Sequence, residues 1–254
     1  MGKVPTKTKR EIELMRESCR IVAEVLAFIG SRIKPGVFTS ELDRIAEEYI
    51  RANGASPAFK GYGHDKKNLF PASLCVSIDE EVVHGIPNGR VLEEGQIVSI
   101  DVGVLKNGYF GDGARTFAVG KTSEEKAQLL KVTEEALYKG IEQARAGHHL
   151  HDVSSSVQQH VEEAGFSVVR DLVGHGIGKQ LHEDPAVPNF GTPGTGLILK
   201  EGMALAIEPM VNAGTYKVQV ADDGWTVRTS DGKPSAHFEH TIVIQDGEAE
   251  ILTR

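Results

Sequence analysis

The N-terminal part of the chain has apolar residues at every third or fourth position, the spacing of one face of a helix. One such stretch covers residues 8 to 29. A second follows Ser40 and ends at Asn53-Gly54, a pair typical of a helix terminus. The pattern therefore predicts two amphipathic helices before residue 55.

Apolar runs of strand length then replace the helical period, and we predict strands at 74–78, 97–105 and 109–119. The helical period restarts at Thr122, where the sequence T-S-E-E predicts a capping box. Two more helices are predicted, one to about residue 146 and one over roughly 151–164. Strand-like runs follow at 166–173, 203–211, 217–228 and 237–245. The order of helices followed by strands thus occurs twice.

An internal similarity without gaps accompanies this repeated order. The segment LEEGQIVSID at 92–101 matches LKEGMALAIE at 199–208, and the triplet His-Gly-Ile occurs once in each half. Chance similarity between two alternating strands is the alternative interpretation. If the repeat is real, two halves are related by a pseudo-two-fold axis, and Asp101 and Glu208 occupy equivalent places.

The composition is that of an ordinary globular protein. Of 254 residues, 40% are hydrophobic and 25% are charged, which suffices for a core without disulfides. The net charge of −8 gives nucleic acid no overall electrostatic attraction. Two cysteines cannot form a Cys-rich zinc module and favour a reducing compartment. We find neither a signal peptide nor an apolar stretch long enough for a membrane span, and expect a cytoplasmic protein without membrane contact.

Two acidic residues flank a predicted hairpin. Asn107-Gly108 is a strong signal for a two-residue loop. In that register Gly103 faces Asp112, and Asp101 becomes the diagonal neighbour of Asp112 at roughly 7–8 Å. We expect Gly103 to leave an unfilled space between the carboxylates, where a cation would offset their repulsion. A solvent-facing acidic pair on an edge hairpin is the alternative.

Three further residues stand in unusual settings. Glu208 follows the apolar run ALAI, Glu239 directly precedes an apolar strand, and His175 lies between Gly174 and Gly176. We expect these glycines to let a ligand approach closely. Taken singly, each of the three polar residues is more commonly a buried group with satisfied hydrogen bonds. Four carboxylates and one histidine together match a site for two divalent ions, whose charges they would balance.

Eight motifs lie in order over nearly the whole chain: VVHGIP (82–87), IDVGV (100–104), GDGARTF (111–117), GHGIG (174–178), LHEDP (181–185), IEPM (207–210), DGWTV (223–227) and FEHTI (238–242). Together they resemble the type I methionine aminopeptidases. The resemblance implies an α+β pita-bread fold, with two pseudo-two-fold-related halves and a central antiparallel sheet covered by helices. It implies one catalytic domain over 1–254, with halves of roughly 1–120 and 121–254. It also implies removal of the initiator methionine from nascent polypeptides whose second residue is small.

The resemblance further implies two divalent metal ions, with manganese, iron(II) or cobalt as candidates and zinc as an alternative. The residues that match the family's metal ligands are Asp101, Asp112, His175, Glu208 and Glu239, of which Asp112 and Glu239 would bridge the ions. Glu208 is expected to shuttle the proton, His182 to stabilise the oxyanion, and His84 to bind near the scissile amide.

A pocket for methionine needs an apolar lining. Similarity to the family places Phe59, Tyr62, Cys75 and Trp225 there, with His84 and His182 also contacting substrate. The alternative is that the four are ordinary core residues. The residue after the methionine must pass close to the backbone around His84 and His175. We expect the glycines there, Gly85, Gly174 and Gly176, to leave little space for a bulky second residue.

The expected partners are the N-termini of nascent polypeptides, with the ribosome as a further candidate. Prolidases and aminopeptidase P share the implied fold but usually carry a separate N-terminal domain, for which a first helix near residue 8 leaves no room. A related binding protein without catalysis should lack the metal ligands or carry a basic face. The sequence retains all the ligand-type residues and is acidic, which favours the enzyme.

Overall fold

The computed structural model describes residues 4–63 and 65–254. The helices in these ranges are α1 (Lys9–Gly30), α2 (Thr39–Ala52), α3 (Glu124–Gln143) and α4 (Leu150–Glu163). The strands are β1 (Ser56–Pro57), β2 (Cys75–Ile78), β3 (Glu81–Val83), β4 (Ile97–Lys106), β5 (Tyr109–Ala118), β6 (Ser167–Val168), β7 (Gly174–Gly176), β8 (Glu183–Val187), β9 (Ala204–Ile207), β10 (Met210–Asn212), β11 (Val218–Val220), β12 (Val227–Thr229), β13 (Ser235–His237), β14 (Glu239–Val243) and β15 (Glu250–Ile251). No helix within the described ranges combines the length and apolarity needed to cross a bilayer.

The four predicted helices are confirmed, and their termini follow local hydrogen bonding. Thr8 caps α1 in a capping box, because its hydroxyl accepts from the Glu11 amide while the Glu11 carboxylate accepts from the Thr8 amide. The capping box predicted at Thr122 is wrong. Ser123 caps α3 instead, accepting from the Lys126 amide, and a lysine cannot return the bond to the cap backbone.

The strand predictions are confirmed in position but differ in length. The run 166–173 is mostly wrong, because only Ser167–Val168 pair there. The run 217–228 forms two short strands, β11 and β12, separated by a turn. Strands β1, β3, β7, β8 and β15 were not predicted. Each has only two to five residues, too few for a clear alternating pattern, and both β3 and β8 pair across a register shift.

One large antiparallel sheet organises the fold. Within the described residues its strand order is β1-β4-β5-β14-β9-β7-β8, with β2 pairing β4 and β15 pairing β14. The strands before α3 join those after α4 where β5 pairs β14. Helix α1 packs on β4 and β5, while α3 packs on α4 and on β9 and β14. The predicted α+β class is confirmed; the single domain with pseudo-two-fold halves stays a prediction.

Candidate active site

The hairpin β4–β5 has the predicted register. Gly103 lies opposite Asp112, and the two turn residues Asn107 and Gly108 have φ values of +52° and +78°. Both φ values are positive, as a type I′ turn requires. Asp101 and Asp112 therefore lie on one face of the sheet. Asp101 lies in the middle of β4 rather than at a strand end.

Gly103 does not leave an empty space between the two carboxylates, so that expectation is wrong. A Cβ at position 103 would lie 2.7 Å from the Phe59 ring and 2.9 Å from the Ala58 side chain. The missing side chain therefore makes room for Phe59, which packs over the strand beside the acidic pair.

The sheet brings the other predicted ligands beside this pair. Ala114 in β5 lies opposite Asp101 in β4 on one side and opposite Glu239 in β14 on the other. Glu208 directly follows β9. His175 in β7 lies opposite Ala206 in β9, the strand that Glu208 follows. Residues more than 100 positions apart thus converge through strand pairing.

Three of these side chains come close enough to share a metal ion. Asp112, His175 and Glu239 each offer a ligand atom, and these atoms lie within 4.8 Å of one another. His175 Nε2 lies 3.6 Å from Glu208 Oε1 and 4.0 Å from Asp112 Oδ2. His175 Nδ1 lies 2.9 Å from the carbonyl oxygen of Gly176. Since a carbonyl only accepts, Nδ1 carries the proton and Nε2 offers a lone pair to the cluster.

Among residues 4–63 and 65–254, the carboxylates of this cluster form ion-pair contacts with histidines and with no lysine or arginine. Burial, and next the neighbouring Asp112, raise the pKa of Asp101 well above its usual value, and burial raises that of Asp112 to about 7. Burial and the nearby carboxylates also raise the pKa values of Glu208 and Glu239. Burial, followed by His182, lowers the pKa of His175 to about 3. A neutral imidazole surrounded by buried carboxylates is suited to binding cations.

The donor set fits divalent ions. Asp101 Oδ1 and Glu239 Oε1 are buried and have no hydrogen-bond partner among the described residues. Buried polar atoms without partners are rare, and an ion bound between these oxygens would supply the missing partner. Oxygen ligands with one imidazole suit Mn²⁺, Fe²⁺ or Co²⁺.

A cavity of about 120 Å³ lies over this cluster. Every site residue predicted from the sequence lines it, and Phe70 and Leu181 line it as well. The Phe70 ring stands edge-on to Phe59 at 6.5 Å and to Trp225 at 5.3 Å between centroids. The cavity thus has a carboxylate-rich side and an aromatic wall.

His84 has a strained backbone, with φ of +60° at a non-glycine residue. The Gly85 amide donates to Ser77 Oγ at 3.1 Å, and the Gly85 carbonyl accepts from the Val76 amide at 2.8 Å. Burial, with His182 next, lowers the pKa of His84 to about 4, so the ring is neutral. Strain held by neighbouring backbone bonds is typical of functional positions.

His182 lies at the mouth of the cavity. Its ring is 4.3 Å from the His175 ring between centroids, and its Nδ1 is hydrogen-bonded to the Tyr62 hydroxyl. Partial burial lowers the pKa of His182, so this ring too is neutral near pH 7. When Tyr62 donates to Nδ1, the proton of His182 is on Nε2.

The glycines beside the histidines do not face a ligand. A Cβ on Gly174 would meet the Ala206 carbonyl oxygen, and one on Gly176 would meet that of Asp184. A Cβ on Gly85 would likewise meet backbone, at Val76. The expectation that these glycines admit a ligand, and so limit the second residue of the substrate, is wrong. They permit close strand packing.

Three residues of the site were not predicted from the sequence. Leu181 lines the cavity and directly precedes the predicted His182 in the chain. Phe70 completes the aromatic wall, but it lies in a segment of the chain without regular periodicity. His237 is 1% exposed, and its Nε2 lies 3.6 Å from Glu208 Oε2. Its position two residues before Glu239, where alternate side chains share a face, was the available signal.

Comparison with known proteins gives one consistent group of relatives. The sequence model of metallopeptidase family M24 matches residues 13–246. A methionine aminopeptidase of Clostridium perfringens is 55% identical, with 97% of each chain covered, and methionine aminopeptidase 1 of Bacillus subtilis is 54% identical, with 98% of each covered. The crystal structure of the Thermotoga maritima methionine aminopeptidase superposes with a TM-score of 0.96 at 47% identity, covering 99% of this chain and 100% of that one.

More distant structures share the fold. A prolidase from Pyrococcus furiosus superposes with a TM-score of 0.78 at 25% identity, covering 98% of this chain and 65% of the prolidase. These similarities confirm the pita-bread fold predicted from the sequence motifs.

Proposed function

The chain belongs to metallopeptidase family M24, and from this we propose that it removes the N-terminal methionine from polypeptides whose second residue is small. The observation that carries the proposal is the cavity itself. Five side chains with metal-ligand atoms line it, together with an aromatic wall formed by Phe59, Phe70 and Trp225. The relatives that match over the whole length of the chain are methionine aminopeptidases.

Family membership implies the use of divalent metal. Asp101, Asp112, His175, Glu208 and Glu239 would hold two ions, with Asp112 and Glu239 shared between them. When bound, such ions supply a water acidified to near-neutral pKa and an electrophile for the scissile carbonyl. Manganese, iron(II) and cobalt suit this ligand set, with zinc as an alternative.

The protein's own groups then handle protons and developing charge. Glu208 is suited to carry a proton to the leaving amine, because burial and its acidic neighbours raise the pKa of its carboxyl. His182 donates from Nε2 to the oxyanion while the Tyr62 hydroxyl holds Nδ1. His84 lines the same cavity beside Trp225, and its neutral ring is suited to contact the substrate near the scissile amide.

The aromatic wall recognises the first side chain. Methionine is long, unbranched and apolar, and its thioether makes favourable contacts with aromatic ring edges. The Phe70 ring meets those of Phe59 and Trp225 edge-on around the cavity, and Cys75, which lies opposite Asp101 in the pairing of β2 with β4, lines it as well. A charged first residue would lose its hydration there without a partner.

The restriction on the second residue is assigned to bulky side chains at the mouth rather than to glycines. Tyr62 and His182 are bonded to each other and line the cavity at its open side. His84 lines the same cavity, with its ring 6.3 Å from that of Trp225. A large second side chain would collide with these groups. We therefore propose polypeptide N-termini as the partner of this site, in the cytoplasm, with the ribosome as the candidate place of encounter.

Peptides that differ only at positions one and two test this function. We expect a much higher kcat/KM for Met-Gly, Met-Ala and Met-Ser peptides than for Met-Leu, Met-Lys and Met-Phe, and tolerance of norleucine at position one. The variant His160→Ala, which changes a histidine of α4 outside the cavity, serves as a control with wild-type activity. Equal rates for Met-Gly and Met-Phe would refute the steric argument. Faster release of lysine than of methionine would refute the pocket assignment.

A further inference from the structure

His237 is a buried polar residue that the mechanism above does not use. Its side chain is almost completely buried, and neither ring nitrogen has a hydrogen-bond partner within residues 4–63 and 65–254. An imidazole always carries at least one N–H donor. An unpaired donor in the interior is unfavourable, so its presence calls for an explanation.

The backbone of His237 is held firmly in place. Its amide donates to Thr116 Oγ1 at 2.9 Å, and the same hydroxyl donates to its carbonyl at 2.8 Å. Residue 237 also pairs with Met210 in the adjacent strand β10. These bonds fix the backbone of His237, and the strand therefore sets the position from which the side chain extends towards the cavity.

The ring is directed at Glu208. His237 Nε2 lies 3.6 Å from Oε2 of that carboxylate, while His175 Nε2 lies 3.6 Å from Oε1. The carboxylate thus lies between two imidazoles, one on each oxygen. A displacement of about 0.4 Å brings the His237 contact into hydrogen-bonding range. The Asn189 side chain also donates to the main-chain carbonyl oxygen of Glu208, at 3.1 Å, which holds the backbone of that residue.

We propose that His237 is a positioning residue for Glu208: when metal is bound, Oε2 of that carboxylate accepts a hydrogen bond from the His237 ring, so that Oε1 is presented to the metal held with His175. The inference rests on the proposed function, because it concerns a ligand of the metal site. Carboxylates that bind metal are commonly oriented by donors behind them, and loss of such a donor lowers metal affinity or activity 10- to 100-fold.

This role differs from that of a packing residue in what replacement should do. His237→Leu and His237→Phe remove the donor but retain an apolar side chain in the space. Because no hydrogen bond of the metal-free protein is lost, we expect its urea midpoint to be unchanged or higher in both variants. His237→Gln retains a donor and is the conservative variant.

Calorimetric titration with Mn²⁺ alone tests the proposal. We expect the Leu and Phe variants to bind at least one ion about 10- to 100-fold more weakly than wild type, and the Gln variant to bind nearly as well as wild type. His160→Leu, which removes an imidazole remote from the cavity, should bind like wild type. With Mn²⁺ saturating, kcat for a Met-Gly peptide should fall in the Leu and Phe variants while KM changes little.

The possible failures are distinguishable. Wild-type protein that binds no Mn²⁺ would overturn the proposed function, and this inference with it. Wild-type affinity in the Leu and Phe variants would overturn the inference alone. Equal weakening in the Gln, Leu and Phe variants, or a lower urea midpoint that accounts for the weaker binding, would assign His237 to packing and would also overturn it.

Discussion

Glu81 is the clearest site for a stability prediction outside the metal cluster. Its side chain is 2% exposed and accepts from both terminal nitrogens of Arg90, at 2.8 and 3.0 Å. It also accepts from Arg228 at 3.2 Å and from the Ile78 amide at 3.0 Å. This carboxylate joins β3 to β12, where residues 81 and 228 lie opposite each other.

The magnitude follows from which groups lose their partner in Glu81→Gln. Removing one member of a buried pair costs about 3–5 kcal/mol when the other member stays buried. Here Arg90 and Arg228 have side chains that are 37% and 44% exposed, so both can turn towards water. In Glu81→Gln the side-chain NH₂ group must also face N–H donors from which the carboxylate accepted. We expect a loss of about 2–4 kcal/mol in the free energy of unfolding.

The same change should lower activity, because the two strands that Glu81 joins lead into the cavity. His84 directly follows β3, and Trp225 lies two residues before β12. Urea unfolding of the metal-free protein, followed by the fluorescence of the single tryptophan, and kcat/KM for a Met-Gly peptide measure both effects. Glu93→Gln, at an exposed glutamate, is the matched control. A loss below about 1 kcal/mol in Glu81→Gln would refute the reasoning.

Four further predictions follow from the cavity. Burial raises the pKa of Asp112 to about 7, so the metal-free protein holds protons near neutral pH. Metal binding at pH 7 should therefore release protons, which makes the calorimetric heat of binding depend on the ionisation enthalpy of the buffer. A heat that is the same in all buffers would contradict the assignment of Asp112 as a metal ligand. Because folding raises that pKa, the unfolded chain loses this proton near pH 4 and the metal-free folded protein only near pH 7, so the carboxyl lowers stability progressively as pH rises from about 4 to 7. Asp112→Asn should therefore stabilise the metal-free protein, relative to wild type, more at pH 7 than at pH 5, and an equal effect at both pH values would contradict the raised pKa. His175→Ala should lower both metal affinity and rate, whereas His182→Ala should keep its metal and lose about 10²–10³ in kcat; loss of metal from the His182 variant would show that its role is misassigned. Gly103→Ala would place a Cβ 2.7 Å from the Phe59 ring and should raise KM for methionine peptides, and an unchanged KM would argue against Phe59 as pocket wall.

Local sequence signals were sufficient where a single turn decides the geometry. The Asn107-Gly108 turn fixes the register of β4 and β5, so the relation between Asp101 and Asp112 followed from spacing alone. Acidic residues beside apolar strands identified the cluster, and the family motifs gave each residue its proposed role. The roles themselves, and the two-fold halves, stay predictions.

Contacts between distant segments could not be obtained in this way. The space beside Gly103 is filled by Phe59, and that beside Gly174 by the backbone of β9, both from parts of the chain far from the glycine. Whether a glycine admits a ligand or a strand depends on that tertiary neighbour. The same holds for His237, whose proximity to Glu208 arises only when β10, which begins two residues after Glu208, pairs with β13.

The central claim is that the cavity is a metal-dependent site for removing N-terminal methionine. The most direct measurement is methionine release from a Met-Gly peptide by protein treated with EDTA and dialysed, before and after titration with Mn²⁺, Co²⁺ or, without oxygen, Fe²⁺. The account predicts no release by the metal-free protein and recovery in proportion to the metal bound, with Asp112→Asn inactive under all conditions. Full release by rigorously metal-free protein, or by the Asp112 variant, would contradict it.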